Sequence, residues 1–593
     1  MKNKLFKWLS GTIVCATIAA CFSACADDHF DITSDAQGRK TLWENISSNT
    51  DLSEFADLLQ RVKYSKSEGI TTIETYADLF NGNQTFTVWA PKNGTFGYEK
   101  YDALLKTGKA SDAYKVETEL IRNSMTRFGH VMMGNDSLRI LLFNGKNAVL
   151  NSSKSLVKNQ RIIVPNIGSK NGVLHVVDGA IEFQPNIYEY MSTRSDLDSV
   201  SAFIKGFQKM EFSEALSTQG PTVNGYITWV DSVFQMTNKY FSYIGTDLTR
   251  EDSAYAMILP TNDAWDVAVE KAKSYYNYKL NYKQTVATTT PEGNDTVISG
   301  VETVFSQEEL DSIVNFRTKN AIAKNLVFNM NSQWGRNYTQ FGVEGECDSL
   351  ITTSGTKFFD PYSAQLFNGA SPIEVSNGYA FVVDKFNYRA IDSWAEEKIL
   401  EVEHDAYLES ATSATVPNRK YSSIISSLYD EDGNVKKDTT VKYTALVLSP
   451  KAATSQPEAT FILRDILSCK YDIFVVMAYN YADNKPNRFQ VSLAYDEPTK
   501  RVANQRLKNP DEGDAENYNT TYFVNNQPYW DENDEYHYVD SVLVAKDFEF
   551  PICYEGLTDA YVALTIKSNF KSGEKHLYSR ELLIDKIILR AKE

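Results

Sequence analysis

A chain of 593 residues is too long for one hydrophobic core and has room for three or four domains. Its 42% apolar and 23% charged residues are a globular balance, which excludes wholesale disorder. A net charge of −17 repels phosphate backbones and so excludes nucleic acid as a partner, while six His and six Cys leave little from which to build a multi-ligand zinc site.

Residues 1–24 read as a leader. Lys2, Lys4 and Lys7 precede an apolar stretch from Leu9 to Ala24 that is short for a membrane span. Phe22-Ser23-Ala24-Cys25 resembles a bacterial lipobox, in which the Cys thiol is acylated; Ile18-Ala19-Ala20-Cys21 fits the same pattern. Asp27 and Asp28 favour Cys25, because acids beside the lipidated residue resemble the surface-export signal of some Gram-negative outer-membrane lipoproteins. The alternative is a cleaved secretory peptide. The expectation is a protein held by lipid on the outer membrane and facing outward, with 25–40 as a polar tether. Cys347, Cys469 and Cys553 are too few and too scattered for a disulfide framework, and read as small buried hydrophobes.

From Asp51, helical spacing puts Leu52, Phe55, Leu58, Leu59 and Val62 on one face, and Asp51 with Glu54 suggests a capping box. Gln84–Pro91 alternates like a half-buried strand, and RILLFNGKNAVLN (139–151) reads as a hairpin with a type I′ turn at Asn144-Gly145. Another strand follows at NGVLHVVDGAIEF, from Asn171. Two of these segments recur. TFTVWAPKNGTF (85–96) returns as YAMILPTNDAW (255–265), and NGVLHVVDGAI (171–181) as NGYAFVVDKF (377–386). Before the second copy, 195–216 reads as an aromatic-rich helical segment carrying Phe203, Phe207 and Met210. Lys273–Thr303, polar and Tyr/Thr-rich, reads as an insertion.

The paired segments resemble the two signature boxes of the fasciclin (FAS1) domain. The resemblance implies two tandem FAS1-like domains, 41–193 and 194–390, within an α+β chain, and a role in adhesion. The boxes identify a fold and carry no reactive centre; His175 is expected to bond backbone or a neighbouring polar side chain inside the fold.

Residues 391–593 hold seven strand-like runs: 443–448, 460–463, 471–478, 489–495, 540–545, 560–566 and 582–589. No strong helix interrupts them after Tyr443, and they predict an all-β sandwich. The closing run, LLIDKIIL, resembles the last strand of galactose-binding-like jelly rolls.

No catalytic motif occurs: no Gly-x-Ser-x-Gly, His-Glu-x-x-His, P-loop or dinucleotide fingerprint. The chain therefore reads as a non-enzyme needing no cofactor or metal. YNTTYFVNNQPYWDENDEYHY (518–538) mixes aromatics with amides and acids, the ingredients of sugar recognition, where flat rings stack on pyranose faces and polar groups meet hydroxyls. Tyr522, Tyr529, Trp530, Tyr536 and Tyr538 are the candidate ligand-binding residues. The acids could instead hold calcium, or the rings could be core. Three functions follow: a glycan- or partner-binding adhesion protein, an accessory subunit of a TonB-dependent uptake complex, or, less favoured, a glycan hydrolase.

Overall fold

The computed structural model describes residues 36–593 except 68–69, 135, 216, 279–284, 290–294, 300–305, 331–348, 362–364, 403–406 and 558–559. The leader, Cys25, most of the 25–40 tether and Cys347 lie outside the described residues. Among the described residues no helix is long and apolar enough to cross a membrane.

Two strands organise the first half. Phe86–Pro91 runs parallel to Gly172–Val177, with Phe86 opposite Gly172 and Pro91 opposite Val177. Met125–Arg127 pairs antiparallel on one outer side and Gln160–Ser169 on the other, and the sheet continues to Ser137–Leu141. All six residues of each central strand are buried. The half-buried alternation expected of 84–91 is thus corrected: this strand has neighbours on both edges and core on both faces, so its polar Thr87 is buried too.

The helix Ser53–Arg61 covers that sheet, and Leu52, Phe55, Leu58, Leu59 and Val62 are all buried as its spacing predicts. Each such burial contributes about 1.5–3 kcal/mol relative to exposure. The expected capping box is not formed. Asn49 caps the preceding turn, and Glu54 instead accepts from the backbone of Gly94. The hairpin at Asn144-Gly145 is also not type I′. Only Gly145 is left-handed (φ 86°), Gly145 N–H bonds Leu142 O, and Leu142 N–H bonds Lys146 O, making a three-residue loop. Asn144 stays right of that conformation because its side chain bridges Thr118 O and Asn123.

The second half repeats this plan. Tyr255–Pro260 runs parallel to Gly378–Val383, flanked antiparallel by Val327–Asn329 and Ile373–Val375. Tyr255 faces Gly378 as Phe86 faces Gly172. Both glycines have positive φ (+146° and +138°) and sit where a Cβ would strike the carbonyl of the facing residue, so backbone conformation and close approach both require them. Asn93 and Asn262 each tie the loop after the first strand to a helix start, accepting from Glu54 N and Ser199 N. The helical segment expected over 195–216 is shorter. Its helix is Asp198–Lys205, and Met210 lies in a strand, Gln208–Phe212, paired with Phe234–Asn238.

In the C-terminal part, each of the seven predicted runs falls within or overlaps an observed strand, in two six-stranded sheets. One sheet has Asn418–Tyr429 at its edge, then Val435–Leu448, Leu582–Ala591, Lys470–Ala478 and Val539–Glu549, with Lys398–Glu401 also on Leu582–Ala591. The other runs Leu408–Thr412, Glu458–Ile462, Val562–Ser568, Arg488–Asp496, Arg501–Arg506, with Phe523–Val524 on Arg488–Asp496. Both sheets feed one buried cluster, which includes Phe461, Val475, Phe489, Leu564 and Ile584.

The start of the supposed insertion is not a free loop. Tyr275, Tyr276 and Tyr278 are buried, Ser468 N–H bonds Tyr275 O, and Cys553 N–H bonds Asn277 O. These residues join the second half to the β-rich part, assisted by Arg317 on Glu555 at 2.9 Å. Burial pushes the Cys469 thiol up to about 11 and Cys553 up to about 12, so both behave as hydrophobes.

Candidate functional site

The aromatic segment 518–538 divides among three environments. Tyr522 has one ring face covered by the Arg488 guanidinium, 3.8 Å from its centroid, and Phe523 next to it is fully buried against Phe489. Tyr538 packs on Tyr443, centroids 5.5 Å apart, within a small buried cluster. Tyr529, Trp530, Tyr536 and His537 form a two-stranded hairpin, in which Tyr529 pairs with His537 and Trp530 with Tyr536. The structure therefore brings Tyr529, Trp530 and Tyr536 together on the hairpin, with Tyr538 packed on Tyr443 and lining the same cleft as Tyr529, while Tyr522 lies under Arg488.

The hairpin leans on the long edge arm Asn418–Tyr429/Val435–Leu448. Trp530 Nε1 donates to Ser426 Oγ at 3.2 Å, Lys437 Nζ lies 5.8 Å from the indole centroid, and Lys436 pairs with Asp534 at 2.7 Å. Tyr536 OH bonds Tyr481 OH at 3.0 Å. Burial, with that bond second, raises the Tyr481 phenol well above its ordinary value, so Tyr481 stays neutral. Trp530 and Tyr536 are thereby fixed as the base of the hairpin, and Tyr529 is left 53% exposed. One face of Tyr529 stacks on His537 (4.8 Å, 18°).

Tyr529, His537 and Tyr538 line a cleft of about 240 Å³, completed by Asn526, Gln527, Asp540 and Ser541. Asp540 accepts from Asn526 N–H at 2.7 Å, which sets one side of the opening. Exposed aromatic face, amides and a carboxylate meet here at a size suited to a single monosaccharide unit rather than a large ligand. At the turn, Asp531 Oδ2 meets His537 Nε2 at 2.9 Å and Oδ1 accepts from Asn533 and Glu535 N–H. The His537 bond first, then those amides, hold the Asp531 carboxyl below the usual range.

Sequence reasoning missed Ser426 and, on the neighbouring strand, Lys437, because the Ser-rich run 418–429 has apolar residues on both faces and no alternation to mark it as a strand. It also missed Asn526 and Asp540, which no aromatic count could single out. A second concavity, a groove of about 660 Å³, lies among helices Asp198–Lys205, Asn262–Lys273 and Gln307–Ala323, lined by Phe203, Phe207, Trp265 and Phe316.

The chain matches no protein-family model and no curated protein. Among solved structures, it is similar to a FAS1 domain pair from the insect cell adhesion molecule Fasciclin I, at 9% identity over 52% of this chain and 90% of that one, with a TM-score of 0.18. A Clostridium perfringens ZmpB structure, CBM51-2 in complex with GlcNAc and INT domains, is similar at 12% identity, 41% and 36% coverage and a TM-score of 0.14. The enzymatically active domain of bacteriophage CBA120 tailspike protein 4 follows at 11%, 32% and 19%, with 0.12. TM-scores of this size establish no shared fold.

Proposed function

We propose that this chain is a non-catalytic binding protein, held on the outer membrane by lipid at Cys25, in which two FAS1-like modules carry a jelly-roll-type sandwich that contacts glycan. The observation that carries the reading is the Tyr529 cleft: an exposed ring beside amides, on a hairpin braced by Trp530 and Tyr536. A preorganised aromatic face costs little entropy on binding, which suits weak, repeated contact with sugars. The FAS1-like reading draws on the two signature segments, which fill equivalent central strands in both halves. The non-catalytic reading draws on the missing motifs and on the state of the hairpin acids, since Asp531 and Asp534 are engaged by His537 and Lys436.

A second reading, an accessory subunit on an outer-membrane transporter, is favoured by the edge strand beside the cleft. Tyr421, Ile425 and Tyr429 are 64%, 75% and 59% exposed and share one face of that strand, the sort of stripe a protein partner covers. A glycan array probed with the full chain separates the two. Retention on a sugar class supports glycan contact; no retention, together with copurification of a transporter from native outer membrane, supports the accessory role.

A further inference from the structure

The turn of the same hairpin brings an imidazole and two carboxylates to one point. One ligating atom each from Asp531, Glu535 and His537 lies within 4.8 Å of the others. We infer that Asp531, Glu535 and His537 form a binding site for a first-row divalent cation of the zinc class, at the mouth of the Tyr529 cleft. Three features of the geometry argue for it. Asp531 Oδ2 and His537 Nε2 are already 2.9 Å apart, and two ligands each about 2.0–2.2 Å from a tetrahedral cation lie about 3.4 Å apart, so a metal replaces the shared proton with a shift of about half an ångström. The imidazole is held in plane by its stack on Tyr529, and the Asp531 carboxylate is anchored through its other oxygen by two backbone N–H groups, so both ligands are oriented before a metal arrives. The neighbouring cation Lys436 pairs with Asp534, and a metal would take the place of the proton that Asp531 shares with His537, so Asp531 and Glu535 together bring two negative charges to the ion.

The ligand set selects the ion. An imidazole disfavours calcium and magnesium, which take oxygen ligands, whereas one nitrogen and two carboxylates suit zinc, cobalt or manganese. Three protein ligands leave coordination positions open to water on a partly exposed turn, unlike a closed structural site.

The test is titration of the full chain, stripped with chelator, against Zn²⁺ by calorimetry and against Co²⁺ by visible absorption, in the native form and in His537→Ala and Glu535→Gln. The expected result is one saturable Zn²⁺ whose affinity falls about 10- to 100-fold in His537→Ala and less in Glu535→Gln, with a Co²⁺ band that the His537 variant lacks. Excess calcium should not displace it. Equal binding by native protein and His537→Ala, or no saturable uptake, would overturn the site and leave Asp531–His537 as a plain ion pair. Because the readout is metal alone, the outcome is independent of whether a glycan is ever found.

Discussion

Asn377 does in the second half what Asn171 does in the first. The Asn171 amide donates to Phe80 O and Gly82 O, both at 2.8 Å, and its oxygen accepts from Leu42 N–H at 2.8 Å. The Asn377 amide donates to Leu248 O (2.9 Å) and Arg250 O (3.2 Å), and its oxygen accepts from Ile187 N–H at 2.9 Å. Each side chain is almost wholly buried and ties a helix start, a loop before the first central strand and the turn into the second. One residue closes each module.

Replacing either Asn with Ala strands two carbonyls and an N–H in the interior. Each substitution should cost about 2–4 kcal/mol, seen as a lower urea midpoint for the affected half by hydrogen exchange. A loss confined to one of the two positions would contradict their equivalence.

His175 makes the first half acid-sensitive. The ring is buried and stacked on Trp89; Nδ1 accepts from Asn166 N–H and Nε2 donates to His130 O, so it is neutral. Burial pulls its pKa down to about 4, against 6.5 when exposed. The unfolded chain therefore binds a proton that the folded one refuses. Stability should be complete above pH 6.5 and fall by about 3 kcal/mol as pH drops towards 4. His130, also lowered by burial, adds in the same direction. In the second half Phe381 stands at the corresponding position of its strand, so no such loss is expected there. His175→Gln can keep both hydrogen bonds and should flatten much of the pH dependence; an unchanged acid transition would refute the assignment.

Lys146 pins the two halves together. It is 5% exposed, and its Nζ meets Glu189 at 2.7 Å, Glu251 at 2.8 Å and Ser376 Oγ at 3.1 Å. Lys146→Met leaves Glu251 buried without a cation. We expect a cost of about 2–4 kcal/mol, below the full penalty for a broken buried pair because Glu189 stays a third exposed. Adding Glu251→Gln should recover part of it in a double-mutant cycle.

The sequence makes legible whatever depends on a local pattern that burial then enforces. The helix face Leu52–Val62, the paired central strands and the seven C-terminal runs were visible because apolar spacing and β-branched runs persist into the fold. The edge strand Asn418–Tyr429 was not, since Tyr421, Ile425 and Tyr429 on its exposed face stand beside Ile424 and Leu428 on the other, which erases any alternation. The type of the Asn144-Gly145 turn was hidden for a different reason: Thr118 and Asn123, distant in sequence, fix the Asn144 side chain. At the candidate site, composition pointed to the right segment but could not separate Tyr529 and Tyr538, which line the cleft, from Tyr522, which Arg488 covers.

The glycan-binding account rests on one ring. Affinity electrophoresis of the full chain through gels carrying whichever polysaccharide the array retains, native against Tyr529→Ala and Tyr522→Phe, tests it most directly. The account predicts that Tyr529→Ala loses about tenfold or more in affinity, the weight of one stacked aromatic, while Tyr522→Phe migrates like the native protein. Full retardation of Tyr529→Ala would contradict it.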